Sequence, residues 1–302
     1  MLQKLRKFIF RILKNFKFLP KPLFFKIRYG AYTRKKLNLE NPVEINEKKN
    51  WLKLYYHPPI LTQLADKYEV RKYVEEKIGA EYLNELYGIY RNVDEIDFNK
   101  LPDQFIIKAV HGCRKNLIVE NKSTLNIEQT KLLLGKWLKY NHYKKVGFEW
   151  PYKNIKPGII VEKLLKEKDK RFLTDYKFVC MNGKGIYVQI IFDFEGKEYQ
   201  VSKNKEFETL EFTLKNRENY FGHIEKPSNF EKMWVLAEIL ADKFPYIRID
   251  LYNVDQKIIF GEITFYPGDG KYDFYPDKYN KIIGDLLILP KLEKGEKEIT
   301  KY

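Results

Sequence analysis

Two carboxylates and one guanidinium near the C-terminal end have the spacing of a metal site. Arg248 and Asp250 lie in the run RIDLYNV, where apolar and polar residues alternate, and Glu262 lies in the next β-like run, IIFGEIT. Alternation places Arg248 and Asp250 on one face of a strand. Asp250 and Glu262 are an even number of positions apart, so a hairpin loop of odd length, such as residues 255–257, would bring Glu262 to the same face.

Two carboxylates that converge in a partly buried sheet repel each other unless a cation or a proton lies between them. Hard oxygen ligands suit Mg²⁺ that carries nucleotide phosphates, so the pair predicts a nucleotide-metal site. The alternative is an ordinary sheet whose polar face meets water. Arg248 and Asp250 would then form a surface ion pair that contributes little energy.

This stretch resembles the C-terminal metal hairpin of ATP-grasp enzymes, the carboxylate-amine ligase superfamily, whose pattern is Arg-x-Asp, then Glu-x-Asn and a Pro-Gly turn. Arg248, Asp250, Glu262 and the turn at 267–268 match, while Thr264 takes the place of the asparagine. The segment GEITFYPGDG, together with DYKFVCMNGK upstream, is similar to one branch of the superfamily. That branch comprises the teichuronopeptide-biosynthesis-type ATP-grasp proteins of bacterial surface-polysaccharide clusters. The resemblance implies an α+β ATP-grasp fold in which two lobes clamp the nucleotide.

The resemblance also implies a reaction. A substrate carboxylate attacks the γ-phosphate of MgATP to give an acyl phosphate, and an amine then forms an amide, with ADP and phosphate released. Asp250 and Glu262 would hold Mg²⁺, with Thr264 as the third ligand position, and Arg248 would steady the transferring phosphoryl and acyl oxygens. Positioned charge supplies most of the stabilisation in such a transfer, and little covalent chemistry by side chains is needed.

Lys108 is the one charge in the short apolar run FIIKAV, which precedes a polar loop that begins with His111 and Gly112. In ATP-grasp enzymes a strand lysine before a small-residue loop holds the nucleotide phosphates beneath a flap, so the resemblance assigns these three residues to the phosphates. A mobile point charge can follow phosphate oxygens as they move. The alternative is a strand lysine that extends its charge to solvent.

The run GIIVEKLL at 158–165 resembles the hinge between the two nucleotide-clamping lobes. The resemblance implies that Glu162 accepts from the adenine amino group and that the Lys163 carbonyl and the Leu165 amide contact the purine edge. It places Asp169 on the ribose. Alternatively, Glu162 is a solvent-facing glutamate at the end of a strand, and Asp169 is part of the solvated charge run KEKDKR.

Two further basic residues are candidates for the phosphates. DYKFVCMNGKGIYVQIIF reads as two strands around an Asn-Gly turn, and its Lys177 shares a face with Asp175. Lys177 is therefore either a phosphate ligand or the ion-pair partner of that aspartate. Arg71 follows an Asp66-Lys67 start in a segment with helical periodicity, a spacing that ATP-grasp enzymes use near the α-phosphate.

The composition is that of a globular protein. The chain has 302 residues, of which 44% are hydrophobic and 16% aromatic, enough for a sizeable core. Its two cysteines provide no disulfide framework and indicate free thiols in a reducing compartment. Its four histidines have no zinc-like spacing.

Basicity is concentrated at the N-terminus. The first 39 residues contain twelve Lys or Arg and no Asp or Glu, which leaves about +3 of the net charge of +15 for the rest. Residues 1–19 have the apolar and basic spacing of a helix, which could lie on an anionic membrane or dock on its own core. Pro20 and Pro22 would end that helix and start a linker. We expect no transmembrane span and no signal peptide, and a cytoplasmic protein that is free or peripheral on the inner face of the plasma membrane.

The predicted organisation has five parts. It comprises a basic helix and linker (1–36), a mainly helical segment (37–100), a small lobe with the hinge (101–165), a large lobe with the metal hairpin (166–290) and a charged, frayed tail (291–302).

Three helices are predicted within these parts, at 65–79, 126–140 and 228–244. Ser228 is the expected N-cap of the third, and Glu231 completes a capping box.

Two other functions compete with ligation. A glycosyltransferase of the same pathway would use a divalent metal, but it usually carries Asp-x-Asp, for which Asp193-Phe-Glu195 is the nearest variant. A nucleic-acid-binding module would spread its basic residues over a binding face, whereas here they lie at one end, so we expect no nucleic-acid partner. The expected partners are ATP, a carboxylate- and amine-bearing polysaccharide precursor and, through residues 1–19, an anionic membrane surface.

Overall fold

The structure, a computed structural model, describes residues 19–145, 147–214 and 217–302. The predicted basic helix at 1–19 lies outside this part of the chain except for its last residue.

Eight α-helices and twelve strands are described, with short 3₁₀ turns between them. The helices are α1 (Lys21–Thr33), α2 (Ile45–Tyr55), α3 (Ile60–Ala65), α4 (Val70–Ile78), α5 (Ile127–Leu138), α6 (His142–Lys145), α7 (Phe230–Ala241) and α8 (Lys278–Leu286). The strands are β1 (Leu86–Tyr90), β2 (Phe105–Ala109), β3 (Asn116–Val119), β4 (Ile159–Lys163), β5 (Asp175–Met181), β6 (Lys184–Phe194), β7 (Lys197–Lys203), β8 (Thr213–Leu214), β9 (Glu218–Asn219), β10 (Tyr246–Val254), β11 (Lys257–Thr264) and β12 (Phe274–Tyr275). Across the described ranges, no helix is both long and apolar enough to cross a membrane.

Two separate sheets form the body. The smaller has the strand order β1-β4-β2-β3 and is antiparallel throughout. The larger has the order β11-β10-β5-β6-β7-β9 and is antiparallel except for the β7-β9 pair. Residues 164–174 connect one sheet to the other. The predicted α+β class is confirmed, and β1 joins the small sheet from before residue 101.

Side-chain alternation explains how the small sheet is positioned. In β2, Phe105, Ile107 and Ala109 are fully buried, whereas Ile106 and Lys108 on the opposite face are half-buried. The buried face packs in a core with α5, whose predicted helix at 126–140 is confirmed. Lys108 is thereby directed away from the core of its own lobe.

The hairpin of β10 and β11 corrects the expected loop. The loop has two residues, Asp255 and Gln256, both with positive φ, instead of three. A two-residue loop alone would place Asp250 and Glu262 on opposite faces. A bulge at Gly261 shifts the register by one residue, so that Asp250 pairs with Glu262 after all. A Cβ on Gly261 would lie 3.0 Å from the Asp250 carbonyl oxygen, which explains the glycine at this position.

The predicted linker after Pro20 and Pro22 is wrong. Helix α1 begins at Lys21, with Pro22 in its first turn, where the missing N–H has no partner to lose. Phe25 and Tyr29 on this helix are each only 1% exposed and belong to the core of the large lobe.

The predicted fraying of the C-terminal tail is also wrong. The Ile299 amide donates to the Tyr55 carbonyl (2.6 Å), and the Ile299 carbonyl accepts from the His57 amide (2.7 Å). The Tyr302 ring stacks on Phe244 with centroids 4.2 Å apart. Backbone hydrogen bonds at Ile299 and the ring of Tyr302 therefore hold this charged segment on the body.

Two helix starts differ from the predictions. The helix predicted at 65–79 begins at Val70. That predicted at 228–244 begins at Phe230 after Asn229, and the Ser228 hydroxyl donates to the Gln256 side chain instead of capping the helix.

Candidate active site between the two sheets

The metal hairpin places its charged side chains on one face of the large sheet. Cross-strand pairing matches Asp250 with Glu262 and Arg248 with Thr264. The Arg248 guanidinium contacts Asp250 through two bonds, Nε to Oδ1 at 2.6 Å and Nη2 to Oδ2 at 2.7 Å. Its Nη2 also lies 3.0 Å from Glu262 Oε1 and 3.1 Å from Thr264 Oγ1. Arg248 is thus fixed as a planar fork between the two carboxylates.

Further cations surround these carboxylates. Lys177, opposite Asp250 on β5, donates to Asp250 Oδ2 at 2.6 Å and also forms an ion pair with Asp175. Lys67, in the turn before α4, donates to Glu262 Oε2 at 3.1 Å. The predicted ion pair of Lys177 with Asp175 is therefore confirmed, and the same ammonium also contacts Asp250.

The site is strongly polarised. Burial alone would raise the pKa of Glu262, but Lys67 and Arg248 outweigh burial and hold that pKa well below its usual range. Burial would lower the pKa of Lys177, but Asp250 and Asp175 raise it above its usual value. Glu262 is therefore ionised and Lys177 protonated at neutral pH.

The donor set fits Mg²⁺ that brings its own phosphate ligands. Asp250 and Glu262 supply two hard carboxylate oxygens, and the Thr264 hydroxyl lies 3.2 Å from Glu262 Oε1. Within the described ranges, no three His, Cys, Asp or Glu side chains are grouped as metal ligands. One or two carboxylates suffice for Mg²⁺ when phosphate oxygens and water complete the shell.

A second charged cluster lies on the small lobe. Glu162 on β4 is buried and accepts from Lys108 Nζ (2.8 Å) and from Arg71 Nη1 (3.2 Å). Arg71 on α4 donates in addition to the Asn84 carbonyl at 2.9 Å. The structure therefore brings together Glu162, which the sequence analysis had assigned to the adenine, with Lys108 and Arg71, which it had assigned to the phosphates.

The end of β4, just after Glu162, is held through the backbone groups of Lys163. The Lys163 amide donates to the Glu85 carbonyl, and the Lys163 carbonyl accepts from the Asn84 side chain, both at 2.9 Å. A carbonyl has a second lone pair, so this contact does not prevent a further hydrogen bond. Leu165 is half-buried just beyond β4, and Asp169 is exposed, with positive φ, in the connection to the large sheet.

The loop after β2 is anchored by its histidine. His111 is buried, its Nε2 lies 2.9 Å from the Trp137 carbonyl, and its Nδ1 lies 3.4 Å from the Gly158 amide. Both ring nitrogens are therefore engaged with backbone groups, and burial lowers the pKa of His111. A Cβ on Gly112 would lie 3.2 Å from His142 Nδ1, so this position accommodates little more than glycine.

The second cluster lines a cleft that extends to β11. It is lined by residues of both lobes, Lys67, Arg71, Leu83, Lys108, Ile160, Glu162, Phe260 and Gly261. Lys67 connects the two lobes directly, because its ammonium pairs with Glu262 while its amide donates to the Val110 carbonyl at 3.3 Å.

Sequence reasoning missed Lys67 and Asp175 as members of the site. Lys67 appeared only as part of the start before Arg71, and Asp175 only as the partner of Lys177. The Asp-Lys pair was the one available signal for Lys67. Its contact with Glu262 spans 195 residues of chain, a distance that no local pattern encodes.

The chain is similar to known proteins in sequence and in structure. A family model described as TupA-like ATPgrasp matches residues 47–288. No curated protein matches the chain.

Solved structures resemble the chain at low identity. The ATP-grasp ligase PsnB complexed with its minimal precursor is 12% identical, with a TM-score of 0.41, over 77% of this chain and 62% of that one. D-alanine–D-alanine ligase from Bacillus anthracis complexed with ATP is 15% identical, with a TM-score of 0.39, over 68% and 55%. A RimK domain ATP-grasp protein from Sphaerobacter thermophilus is 8% identical, with a TM-score of 0.41, over 82% and 72%. The chain thus spans 62% and 55% of the length of the first two.

Proposed function

Because the chain belongs to the TupA-like ATP-grasp family of ATP-dependent ligases, we propose that it joins a carboxylate to an amine through an acyl phosphate. The observation that carries this proposal is the convergence of Arg248, Asp250 and Glu262 on one face of the large sheet. Lys67 pairs with Glu262 and lines the same cleft as Lys108 and Glu162. A carboxylate pair with a fixed guanidinium on one side, and a lysine on the other, is what phosphoryl transfer from MgATP requires.

We assign the nucleotide contacts from the cleft outward. Lys108, Lys177 and Arg71 bind phosphates, and the loop with His111 and Gly112 covers them. Glu162 and the Lys163 carbonyl receive the adenine amino group, the Leu165 amide contacts the purine, and Asp169 binds the ribose. Lys108 and Lys177 now pair with Glu162 and Asp250, respectively. When the nucleotide enters, phosphate oxygens replace the protein carboxylates as partners of these two ammonium groups. Neither ammonium is then left without an anion.

Asp250 and Glu262, with Thr264, would hold Mg²⁺, which when bound neutralises phosphate charge and orients the transferring group. Arg248 donates to the oxygens of that group through its rigid fork. A carboxylate oxygen of the substrate forms a bond to the γ-phosphorus as the bond to the ADP oxygen breaks. The amine nitrogen then bonds to the acyl carbon, phosphate leaves, and the amine loses a proton.

The substrate class follows from the family branch. The TupA-like match covers residues 47–288 and supports a precursor of a bacterial capsule or cell-wall polysaccharide that carries a carboxylate or an amine.

Ligand-induced stabilisation tests the nucleotide part of the proposal. MgATP at 100 times its dissociation constant should stabilise the protein by about 2.7 kcal/mol, and UDP-glucose should not. Lys108→Met should weaken MgATP binding by roughly 10- to 100-fold, because a charge-assisted bond is lost. The control is Lys72→Met. The Lys72 side chain is 77% exposed on α4, so this change should leave MgATP binding unchanged. Stabilisation by UDP-glucose in place of MgATP would favour the glycosyltransferase.

We also propose that residues 1–19 bind an anionic membrane surface. Deletion of residues 1–18 should abolish binding to vesicles that contain phosphatidylserine, and binding by the full chain should weaken steeply with salt as its lysines are screened. The deletion retains Leu19, which packs against the core. Vesicle binding that survives the deletion, or an insoluble truncated protein, would mean that residues 1–18 dock on the body. ATP turnover should persist in the truncated protein, because every proposed site residue lies beyond position 18.

A further inference from the structure

Helix α2 buries a polar face. Asn46, Lys49, Asn50 and Lys53 recur at helical spacing, and each is at most 6% exposed. Such a face is costly to bury unless every polar group on it has a partner. The partners therefore indicate what the face is for.

Three of the four residues hold the segment that follows the metal hairpin, residues 269–273. Asn46 donates to the Tyr272 carbonyl and to Asp273 Oδ1, each at 2.9 Å, Asn50 donates to the Gly270 carbonyl at 3.1 Å, and Lys53 forms an ion pair with Asp269. Their burial is explained by the position of that segment.

Lys49 differs from the other three. It is 6% exposed, and its Nζ lies 4.7 Å from the centre of the Tyr246 ring. Among the described residues, no carboxylate oxygen lies within 4.0 Å of this ammonium. Burial and the neighbouring Arg248 lower the pKa of Lys49 to about 7, while Asp273 raises it more weakly. Lys49 is thus a buried cation beside a second cation, without an ion-pair partner.

The register of the large sheet locates this pair of cations. Tyr246, Arg248 and Asp250 follow one another on the same face of β10. Lys49 therefore lies on the side of Arg248 away from Asp250, one side-chain row from the metal hairpin. Tyr187 lies two strands from Arg248, in line with it across the sheet, because Val179 pairs with both residues. Burial raises the pKa of Tyr187 and of Tyr246, and the charge of Arg248 opposes that rise. Lys49 and Arg248 are therefore two neighbouring basic groups on the side of the sheet that carries the rings of Tyr246 and Tyr187.

We infer that Lys49 and Arg248 together bind the carboxylate that the enzyme activates. The carboxylate would then lie beside Arg248, next to the row of Asp250 and Glu262 where the γ-phosphate is held. One oxygen can accept from each cation, which supplies the missing partner of Lys49. The inference rests on the proposed ligase function and adds a residue of the helical N-terminal segment to its substrate site.

A carboxylate-binding role predicts an unusual effect on stability. In the empty protein an unpaired ammonium beside a guanidinium is unfavourable, so Lys49→Met should raise the melting temperature. A structural lysine would give the opposite sign. Lys48, the neighbouring residue on α2, donates to the carbonyls of Gly284 and Leu287 at 2.8 and 2.7 Å, and Lys48→Met should lower the melting temperature.

The test measures binding of defined carboxylates in the presence of MgADP. The probes are D-glucuronate, D-galacturonate and L-glutamate, and the amide of each acid is the neutral control. At least one acid should stabilise the wild-type protein beyond MgADP alone. Lys49→Met should weaken that binding by about 10- to 100-fold, Lys49→Arg should retain most of it, and Lys48→Met should bind as the wild type does.

Each other result has a definite meaning. Unchanged carboxylate binding in Lys49→Met, or a lower melting temperature of that variant, would overturn the inference and make Lys49 a structural residue. Failure of all three acids to bind the wild-type protein in the presence of MgADP would overturn it as well. Failure of MgADP itself to bind would instead contradict the proposed function.

Discussion

Asp250→Asn is expected to abolish ATP turnover, with a loss in kcat of at least about 1,000-fold, because an amide neither neutralises Mg²⁺ nor keeps the charge of its ligand set. Asp250 has a side chain only 1% exposed and pairs with both Arg248 and Lys177. Glu262→Gln should reduce turnover in the same way. The readout is ADP release in the presence of a carboxylate probe, together with the melting temperature.

The two carboxylates considered alone would repel, and removal of one would stabilise the empty protein. The structure reverses this expectation, since Lys67, Lys177 and Arg248 surround them. Asp250→Asn removes one carboxylate from both Arg248 and Lys177, which keep Glu262 and Asp175 as partners, and should cost roughly 3 kcal/mol of stability.

Asp255→Asn is the matched control for Asp250→Asn. It changes an exposed residue in the loop of the same hairpin, at a positive φ that asparagine adopts readily. Turnover and melting temperature should both stay near the wild-type values. Wild-type turnover in both Asp250→Asn and Glu262→Gln would show that these two carboxylates do not hold the metal.

Arg248→Lys is the second change with a large expected effect. It should lower kcat by about 100- to 1,000-fold while the KM for ATP changes little, because the lost donors act mainly on the transferring group. A single ammonium cannot reproduce the two bonds to Asp250 and the contacts with Glu262 and Thr264.

Arg217→Lys changes an arginine that is paired with Glu198 on the far strands of the large sheet, and it should leave both constants unchanged. Equal losses of ATP affinity and kcat in Arg248→Lys would place Arg248 at the other end of the nucleotide. Steady-state ADP release over a range of ATP concentrations separates the two outcomes.

The metal hairpin shows both the reach and the limit of sequence reasoning. Alternation of apolar and polar residues identified the strands and the face that carries Arg248 and Asp250. The expected three-residue loop was wrong, yet Glu262 lies where it was expected, because a two-residue loop and a bulge at Gly261 together give the same register. Loop length and bulges both shift register by one residue, and a pattern of period two cannot separate them.

Helix α2 illustrates what local pattern cannot provide. Its face with Lys49 and Lys53 would be assigned to solvent from the sequence, because lysines are rarely buried. The face is buried since residues 269–273 and the large sheet pack against it, and these contacts span more than 200 residues of chain. Propensity and periodicity describe neighbours along one element, so a site assembled from α2, the turn before α4 and two sheets lies beyond them.

The acyl phosphate is the central claim, and trapping it with hydroxylamine tests that claim most directly. The protein is incubated with MgATP, hydroxylamine and a carboxylate that stabilises it, and hydroxamate and ADP are measured together. We expect one hydroxamate to form for each ADP, because hydroxylamine bonds to the acyl carbon as phosphate leaves. Formation of both products should require Mg²⁺ and the carboxylate. ADP formed without hydroxamate, or transfer of sugar from a UDP-sugar with no use of ATP, would contradict it.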